Sequence, residues 1–198
     1  MKIIIPINFT KVSISILLII LSCCSSPVAQ ENFSMKKGII YIVRHAEKDT
    51  GNNPGLTAEG HARSGYLAAA FNKCKMKVCF PERIYVTQFR RTQLTADSIR
   101  LRSENDTVHY QADNTGDDLI RMLKKHIEDN NILIIAHSNT IPAIINRLGI
   151  KNYQLNIADN EYDKLFMITY RKRKATLYNR KFGNPSDAGS NSGWEKVL

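Results

Sequence analysis

Two short apolar runs, Gly38-Ile39-Ile40-Tyr41-Ile42-Val43 and Asn131-Ile132-Leu133-Ile134-Ile135-Ala136, most constrain what this chain can fold into. Runs of this length, β-branched and without polar alternation, are strands buried on both faces, the pattern of a parallel sheet covered by helices on either side. Helical patterns separate the strands, which argues an α/β domain. Thr57 caps a predicted helix reaching about Asn72, with Glu59 in its first turn and Leu67 and Phe71 on one face. Arg83–Val86 reads as a strand, and Phe89, Thr92, Ala96 and Ile99 recur at helical spacing after it. A short edge strand follows at Thr107–Tyr110, then a helix capped by Thr115 that buries Leu119, Met122, Leu123 and Ile127. Pro142 falls in the first turn of a further helix, where a missing N–H does no harm. Leu165–Tyr170 and Ala175–Tyr178 read as a closing hairpin. The expectation is a three-layer α/β/α domain over 36–182 with a mostly parallel mixed sheet, then a loose Gly/Asn/Ser-rich tail, 183–198, in which Trp194 alone is suited to dock.

Both apolar runs stop at a histidine, the first in Arg44-His45-Ala46-Glu47-Lys48 and the second in His137-Ser138-Asn139-Thr140. Open α/β sheets bind ligands outside the carboxyl ends of their strands. A third strand runs into Thr87-Gln88-Phe89-Arg90-Arg91-Thr92, which sets an arginine at a helix start. Parallel neighbours would gather two imidazoles, guanidinium groups and helix N-termini at one edge, and such a set suits an anion. Phosphoryl transfer, which depends on positioning and charge neutralisation, uses it most naturally. His61, His109 and His126 fall in none of these segments and read as structural or exposed.

The first 30 residues read as a targeting segment. Lys2 and Lys11 are their only charges, and an apolar stretch from Val12 to Leu21 leads to Ser22-Cys23-Cys24-Ser25-Ser26. Three outcomes stay open: a lipoprotein-type signal with an acylated cysteine, ordinary cleavage near Ala29-Gln30, or translation from Met35. The first two imply an exported protein, periplasmic or membrane-anchored; the third implies a cytoplasmic one. Of 28 basic residues only those two precede Glu31, and all 18 acidic ones follow from there, so the remainder carries +8. That charge favours anionic partners, yet no nucleic-acid motif accompanies it. Arg171-Lys172-Arg173-Lys174 reads as a solvated hairpin tip. Cys74 and Cys79 suit a local disulfide in an oxidising compartment; no segment offers a metal ligand set, and no cofactor is expected.

The four blocks Val43-Arg44-His45-Ala46-Glu47-Lys48, Leu56-Thr57-Ala58-Glu59-Gly60, Val86 to Ala96 and Ala136 to Thr140 resemble, in that order, the histidine phosphatase (phosphoglycerate mutase-like) superfamily. The likeness is greatest to short bacterial members, which also share a segment like Ile157-Ala158-Asp159-Asn160-Glu161-Tyr162-Asp163-Lys164-Leu165. It implies a phosphoglycerate mutase-like fold and a phosphatase acting on a phosphorylated small molecule or phosphoprotein. His45 matches the nucleophile that becomes phosphohistidine. Arg44 and Arg91 match the guanidinium groups that grip the phosphoryl oxygens, with Arg90 as the rival of Arg91. His137 matches the second histidine and is expected to act as a cation. Ser138 follows His137 where some relatives carry an Asp, so the general acid is left to Glu161, which ranks first, or to Glu104 or Asp113. Asn139, Lys48 and Thr57 are candidate substrate contacts. The rival functions are a catalytically weak envelope protein that binds anions and a phosphoglycerate mutase-like phosphotransferase.

Overall fold

The computed structural model describes residues 32–72, 80–103, 106–126, 131–184 and 193–198. The expected leader, Cys74, Cys79, Glu104 and Ile127 lie outside them.

The chain runs β1 (Lys37–Arg44), α1 (Ala58–Asn72), β2 (Arg83–Thr87), α2 (Arg90–Ser103), β3 (Thr107–Tyr110), α3 (Asp117–Lys125), β4 (Asn131–Ala136), α4 (Ile141–Arg147), β5 (Lys164–Arg171), β6 (Lys174–Lys181) and β7 (Glu195–Lys196). The strands form one mixed sheet of order β3-β2-β4-β1-β5-β6-β7. The first four strands in that order are parallel, and β5, β6 and β7 follow β1, each antiparallel to the strand before it. Both apolar runs lie inside this sheet, side by side, and the period of two sends alternate residues to opposite faces. Ile40, Ile42, Tyr85, Ile132 and Ile134 join one core with Leu119, Leu123, Ile141 and Ile144 of α3 and α4. Tyr41, Val43, Ile84, Val86, Leu133 and Ile135 join the other with Leu67, Phe71, Ala96 and Ile99 of α1 and α2.

The connections place the site. β1 leads through α1 across β4 to β2, whereas β4 leads through α4, on the other face, across β1 to β5. The chain therefore diverges between β1 and β4, and ligands of such sheets bind outside the carboxyl ends at that point.

Three expectations need correction. Thr115 is not the N-cap of α3, which is Gly116, in the left-handed region at φ 73°, although the Thr115 hydroxyl accepts from the Asp117 N–H at 3.3 Å. Asp113 does the capping instead, its carboxylate accepting from the backbone N–H groups of Thr115, Gly116, Asp117 and Asp118. The tail is not loose to its end. Trp194 lies 6.2 Å from the Tyr41 ring and under the Arg180 guanidinium at 4.7 Å, and β7 pairs with β6. Lastly, the domain starts before residue 36. Phe33 and Met35 are buried in the core, Phe33 meets Tyr170 edge-on at 6.4 Å, and its N–H donates to the Arg147 carbonyl at 2.9 Å.

Loss of a buried phenylalanine costs about 3 kcal/mol or more. A chain beginning at Met35 should therefore unfold at markedly lower urea than one beginning at Glu31, and Phe33→Ala in the longer chain should reproduce most of the difference. Equal midpoints would show that the segment adds nothing to the core.

Candidate active site

Arg44 and Ala136 are register partners at the ends of β1 and β4, so the next residue on each strand is a histidine. The His45 N–H donates to the Ala136 carbonyl at 3.0 Å, extending the ladder by one bond. The two imidazole rings lie 5.3 Å apart between centroids, and both are almost fully buried, at 3% and 6% exposure. β2, on the other side of β4, ends at Thr87. α2 then begins at the same edge and supplies Arg91.

The His45 tautomer is fixed by its own chain. Nδ1–H donates to the Ala46 carbonyl at 2.8 Å, which leaves Nε2 with its lone pair. The Ala46 peptide is held in turn by Thr95, whose hydroxyl accepts from Ala46 N at 3.0 Å and donates to the Arg91 carbonyl at 2.6 Å. One threonine thus ties the peptide that supports His45 to the backbone of Arg91.

A chain of hydroxyls orients His137. Thr92 donates to the Phe89 carbonyl at 2.8 Å, so its oxygen accepts from Thr87 at 2.9 Å. Thr87 Oγ1 is then free to accept from His137 Nε2–H at 3.1 Å. His137 Nδ1 consequently carries a lone pair, toward which an Arg91 terminal nitrogen points at 3.4 Å.

Burial lowers the pKa of His45 to about 3; the hydrogen bond to Ala46 opposes this, and the charges of His137, Arg91 and Arg44 add to it. Burial first, then Arg91 and Arg44, lowers that of His137 to about 4. Both rings are neutral at pH 7 in the unliganded site. Two guanidinium groups beside a buried imidazole disfavour protonation of His137, so the cation expected from the sequence requires a bound anion to offset them.

Backbone and aromatic faces, not carboxylates, hold the guanidinium groups. One terminal nitrogen of Arg44 donates to the carbonyls of Ala158, Asp159 and Glu161 at 2.9, 3.0 and 3.1 Å, and the group stacks on Tyr162 at 4.1 Å. Arg91 stacks on Phe89 at 4.3 Å. The Nε atoms of both arginines are buried without a hydrogen-bond partner. Buried cationic donors left unpaired are expensive, and an oxyanion with several lone pairs satisfies them.

The structure thus brings His45, Arg44, Arg91 and His137 together. Arg90 is exposed, its N–H taken by Asn53 Oδ1 at 3.1 Å, so Arg91 is the arginine at the site. The side chains of the other sequence candidates make no bond to these four among the described residues. Glu161 is not placed as a proton donor: Oε2 accepts from Ala158 N at 2.8 Å, and Oε1 pairs with Lys164 at 2.8 Å. The Lys164 bond, then that of Ala158, lowers its pKa, so it remains a carboxylate that shapes the turn gripping Arg44. Asp113 is occupied by capping; burial raises its pKa, but the hydrogen bonds led by Thr115 outweigh this and lower it. Thr57 Oγ1 accepts from Gly60 N at 3.1 Å, capping α1. Asn139 is exposed and donates to Asn114 Oδ1 at 3.3 Å, and Lys48 is exposed, with no bond to the four among the described residues. Thr87, Thr95, Phe89 and Tyr162 are the supporting residues that the motifs did not single out.

With this geometry, two solved structures are similar to the chain. The alpha-ribazole phosphatase from Shigella flexneri gives a TM-score of 0.56 at 14% identity, over 74% of this chain and 96% of that one. The protein histidine phosphatase SixA complexed with tungstate gives 0.53 at 14% identity, over 72% and 96%. The chain has the histidine phosphatase fold. No family model and no curated protein matches it by sequence. In this histidine phosphatase fold the two histidines and Arg91 follow the carboxyl ends of three adjacent parallel strands, and the turn before β5 closes the fourth side over Arg44.

Both histidines have folded-state pKa values below the ordinary 6.5. Between that value and about 4 the unfolded chain binds protons that the folded chain does not, so stability rises with pH and falls on acidification. The slope should approach about 1.4 kcal/mol per pH unit for each ring. Thermal or urea unfolding between pH 7 and 5 checks this: a His45→Asn/His137→Gln variant should lose most of the dependence in that window, which lies above the carboxylate range. An unchanged slope would mean that the rings are protonated in the folded site.

Proposed function

We propose that the chain is a phosphatase that hydrolyses phosphate esters or related phosphoryl compounds through a phosphohistidine on His45. One observation carries the reading: a neutral imidazole with Nδ1–H locked on a carbonyl sits among His137 and two arginines whose buried Nε donors lack partners. The neighbouring solved structures, one called a protein histidine phosphatase and the other an alpha-ribazole phosphatase, are consistent with that chemistry.

In the proposed reaction the phosphoryl group enters between Arg44 and Arg91, which neutralise its oxygens and cannot deprotonate. His45 Nε2 donates its lone pair to phosphorus as the bond to the leaving group breaks, and that group departs with the bonding electrons. Nδ1–H stays on the Ala46 carbonyl and stabilises the cationic character that develops on the ring. The arriving dianion reverses the electrostatics around His137, raises its pKa and lets Nδ1 take a proton and donate to a phosphoryl oxygen. Water then attacks phosphorus, the P–N bond breaks, and phosphate leaves.

No carboxylic acid among the described residues is placed to protonate the leaving group. The proposed substrates therefore carry leaving groups of low basicity, such as aryl oxides, carboxylates or an imidazole. The same feature favours the rival reading, an anion-binding protein without turnover. Lipoprotein or cleaved export, and the cytoplasmic alternative, remain proposals resting on the sequence of residues 1–35.

An aryl phosphate assay of wild type and variants separates the two. His45→Ala should abolish turnover while retaining phosphate binding, and Arg91→Lys should lower kcat/KM at least tenfold because a point charge loses the fork geometry. Turnover by His45→Ala at the wild-type rate would refute the covalent route, and a wild type without turnover would leave the binder. Across a panel, rates should fall steeply as leaving-group basicity rises; equal rates on alkyl and aryl esters would mean that an acid is present.

A further inference from the structure

The opposite end of the sheet carries a feature that the site does not use. β1 enters the sheet at Lys37, and β5 leaves it at Arg171 directly opposite. The turn residues Lys172 and Arg173 continue the row to Lys174, which pairs with Arg171. The Arg173 N–H donates to the Lys36 carbonyl at 3.4 Å, so the turn lies against the segment that enters β1. Lys36, Lys37, Arg171, Lys172, Arg173 and Lys174 are all exposed, and none of the six forms an ion pair among the described residues. Glu82 and Lys37 line one cavity of about 430 Å³. The other described carboxylate at the strand starts of this edge, Asp106, precedes β3, at the far side of the sheet.

Like charges directly opposite in a sheet are destabilising. Lys37 against Arg171 and Arg171 against Lys174 therefore weaken the fold, and folding does not account for them. The surface is a projecting turn whose six residues include no aromatic ring, unlike the stacking platforms that hold single-stranded nucleic acid, and it offers no helix for a groove. It fits a flat anionic plane. We propose that this basic end docks on anionic lipid headgroups and leaves the His45 edge facing away from the bilayer. β1 spans about 23 Å at roughly 3.3 Å per residue. That is more than two screening lengths at physiological salt, about 8 Å each. The patch and the site are electrostatically independent, and the proposal does not rest on the phosphatase reading.

The test is cosedimentation of the full chain with vesicles of phosphatidylglycerol and phosphatidylcholine in equal parts, against vesicles of phosphatidylcholine alone. An apolar N-terminal segment contributes to both, so the difference isolates charge. Binding should favour the anionic vesicles, weaken with salt, and fall about fivefold for each cation removed. The variant is Arg171→Gln/Lys172→Gln/Arg173→Gln/Lys174→Gln, whose aryl phosphate hydrolysis should stay at the wild-type level. Lys36→Gln/Lys37→Gln, outside the hairpin, gives the same test if the larger change unfolds the chain. Equal binding to both vesicle types, or anionic binding undiminished in the variants, overturns the proposal. So does tighter binding of a single-stranded RNA oligonucleotide than of anionic vesicles at the same salt, which would give the face to nucleic acid.

Discussion

Two guanidinium groups and two imidazoles share one sheet edge with no carboxylate among the described residues bonded to any of them, and the site's properties follow from how the fold tolerates that crowding. The strands force the proximity: once β1 and β4 pair with Arg44 opposite Ala136, His45 and His137 must emerge side by side. The cost is met in three ways. The imidazoles stay neutral, the arginines lie on the faces of Tyr162 and Phe89, and Arg44 takes three backbone carbonyls, which stabilise a cation without adding a formal negative charge. A carboxylate in their place would satisfy the arginines outright and leave nothing for a ligand to do.

Neutral imidazoles are useful only if each nitrogen has a fixed role, and here the roles come from residues outside the rings' own strand ends. His45 is set by the Ala46 carbonyl, and Ala46 by Thr95 of α2. His137 is set by Thr87, whose hydroxyl is turned by Thr92 of the same helix. α2 thus supplies Arg91 and orients both histidines, so a shift of that helix would disturb binding and tautomer together. α2 is anchored against α1 through Ser64, whose hydroxyl reaches the Thr95 carbonyl at 3.0 Å. Gly60 belongs to the same arrangement: a side chain there would run into the Glu47 carbonyl, two residues beyond the nucleophile. The α1 segment matters at the site through its backbone approach, while the Thr57 hydroxyl stays at the helix cap.

What the sequence discloses divides along this line. Strands with a short apolar run and a reactive terminus are legible because side-chain pattern alone determines them, and the helices of both layers follow from their spacing. Arg91 was separable from Arg90 only through the family pattern, since both begin one helix and only its orientation buries one of them. The grip on Arg44 was invisible because it consists of carbonyls, which every residue has. Glu161 was singled out in the right segment for the wrong reason: the turn matters, and its carboxylate serves the turn. Asp113 and Thr115 compete for one helix start, and a carboxylate that reaches four N–H groups outcompetes a hydroxyl. The docking of Trp194 depends on Tyr41 and Arg180, more than 150 and about 14 residues away, a pairing that no local pattern encodes.

That no carboxylic acid among the described residues is placed as a proton donor at this edge also has a physical basis. A carboxyl group within a few ångströms of Arg44 or Arg91 would have its pKa driven down and would be ionised at neutral pH. In that state it cannot protonate a leaving group, and it would occupy the donors meant for phosphoryl oxygens. An acid could act here only by standing away from both arginines, on the far side of the leaving group, or by being buried enough for desolvation to win. Asp113 and Glu161 meet neither condition, because hydrogen bonds to N–H groups and a lysine keep them ionised. The electrostatics that make the crevice attractive to a dianion thus work against a carboxylic acid beside it. Under the proposed reaction, such an edge suits leaving groups able to depart as anions or neutral heterocycles, or protons supplied by water or by His137 once a bound dianion raises its basicity.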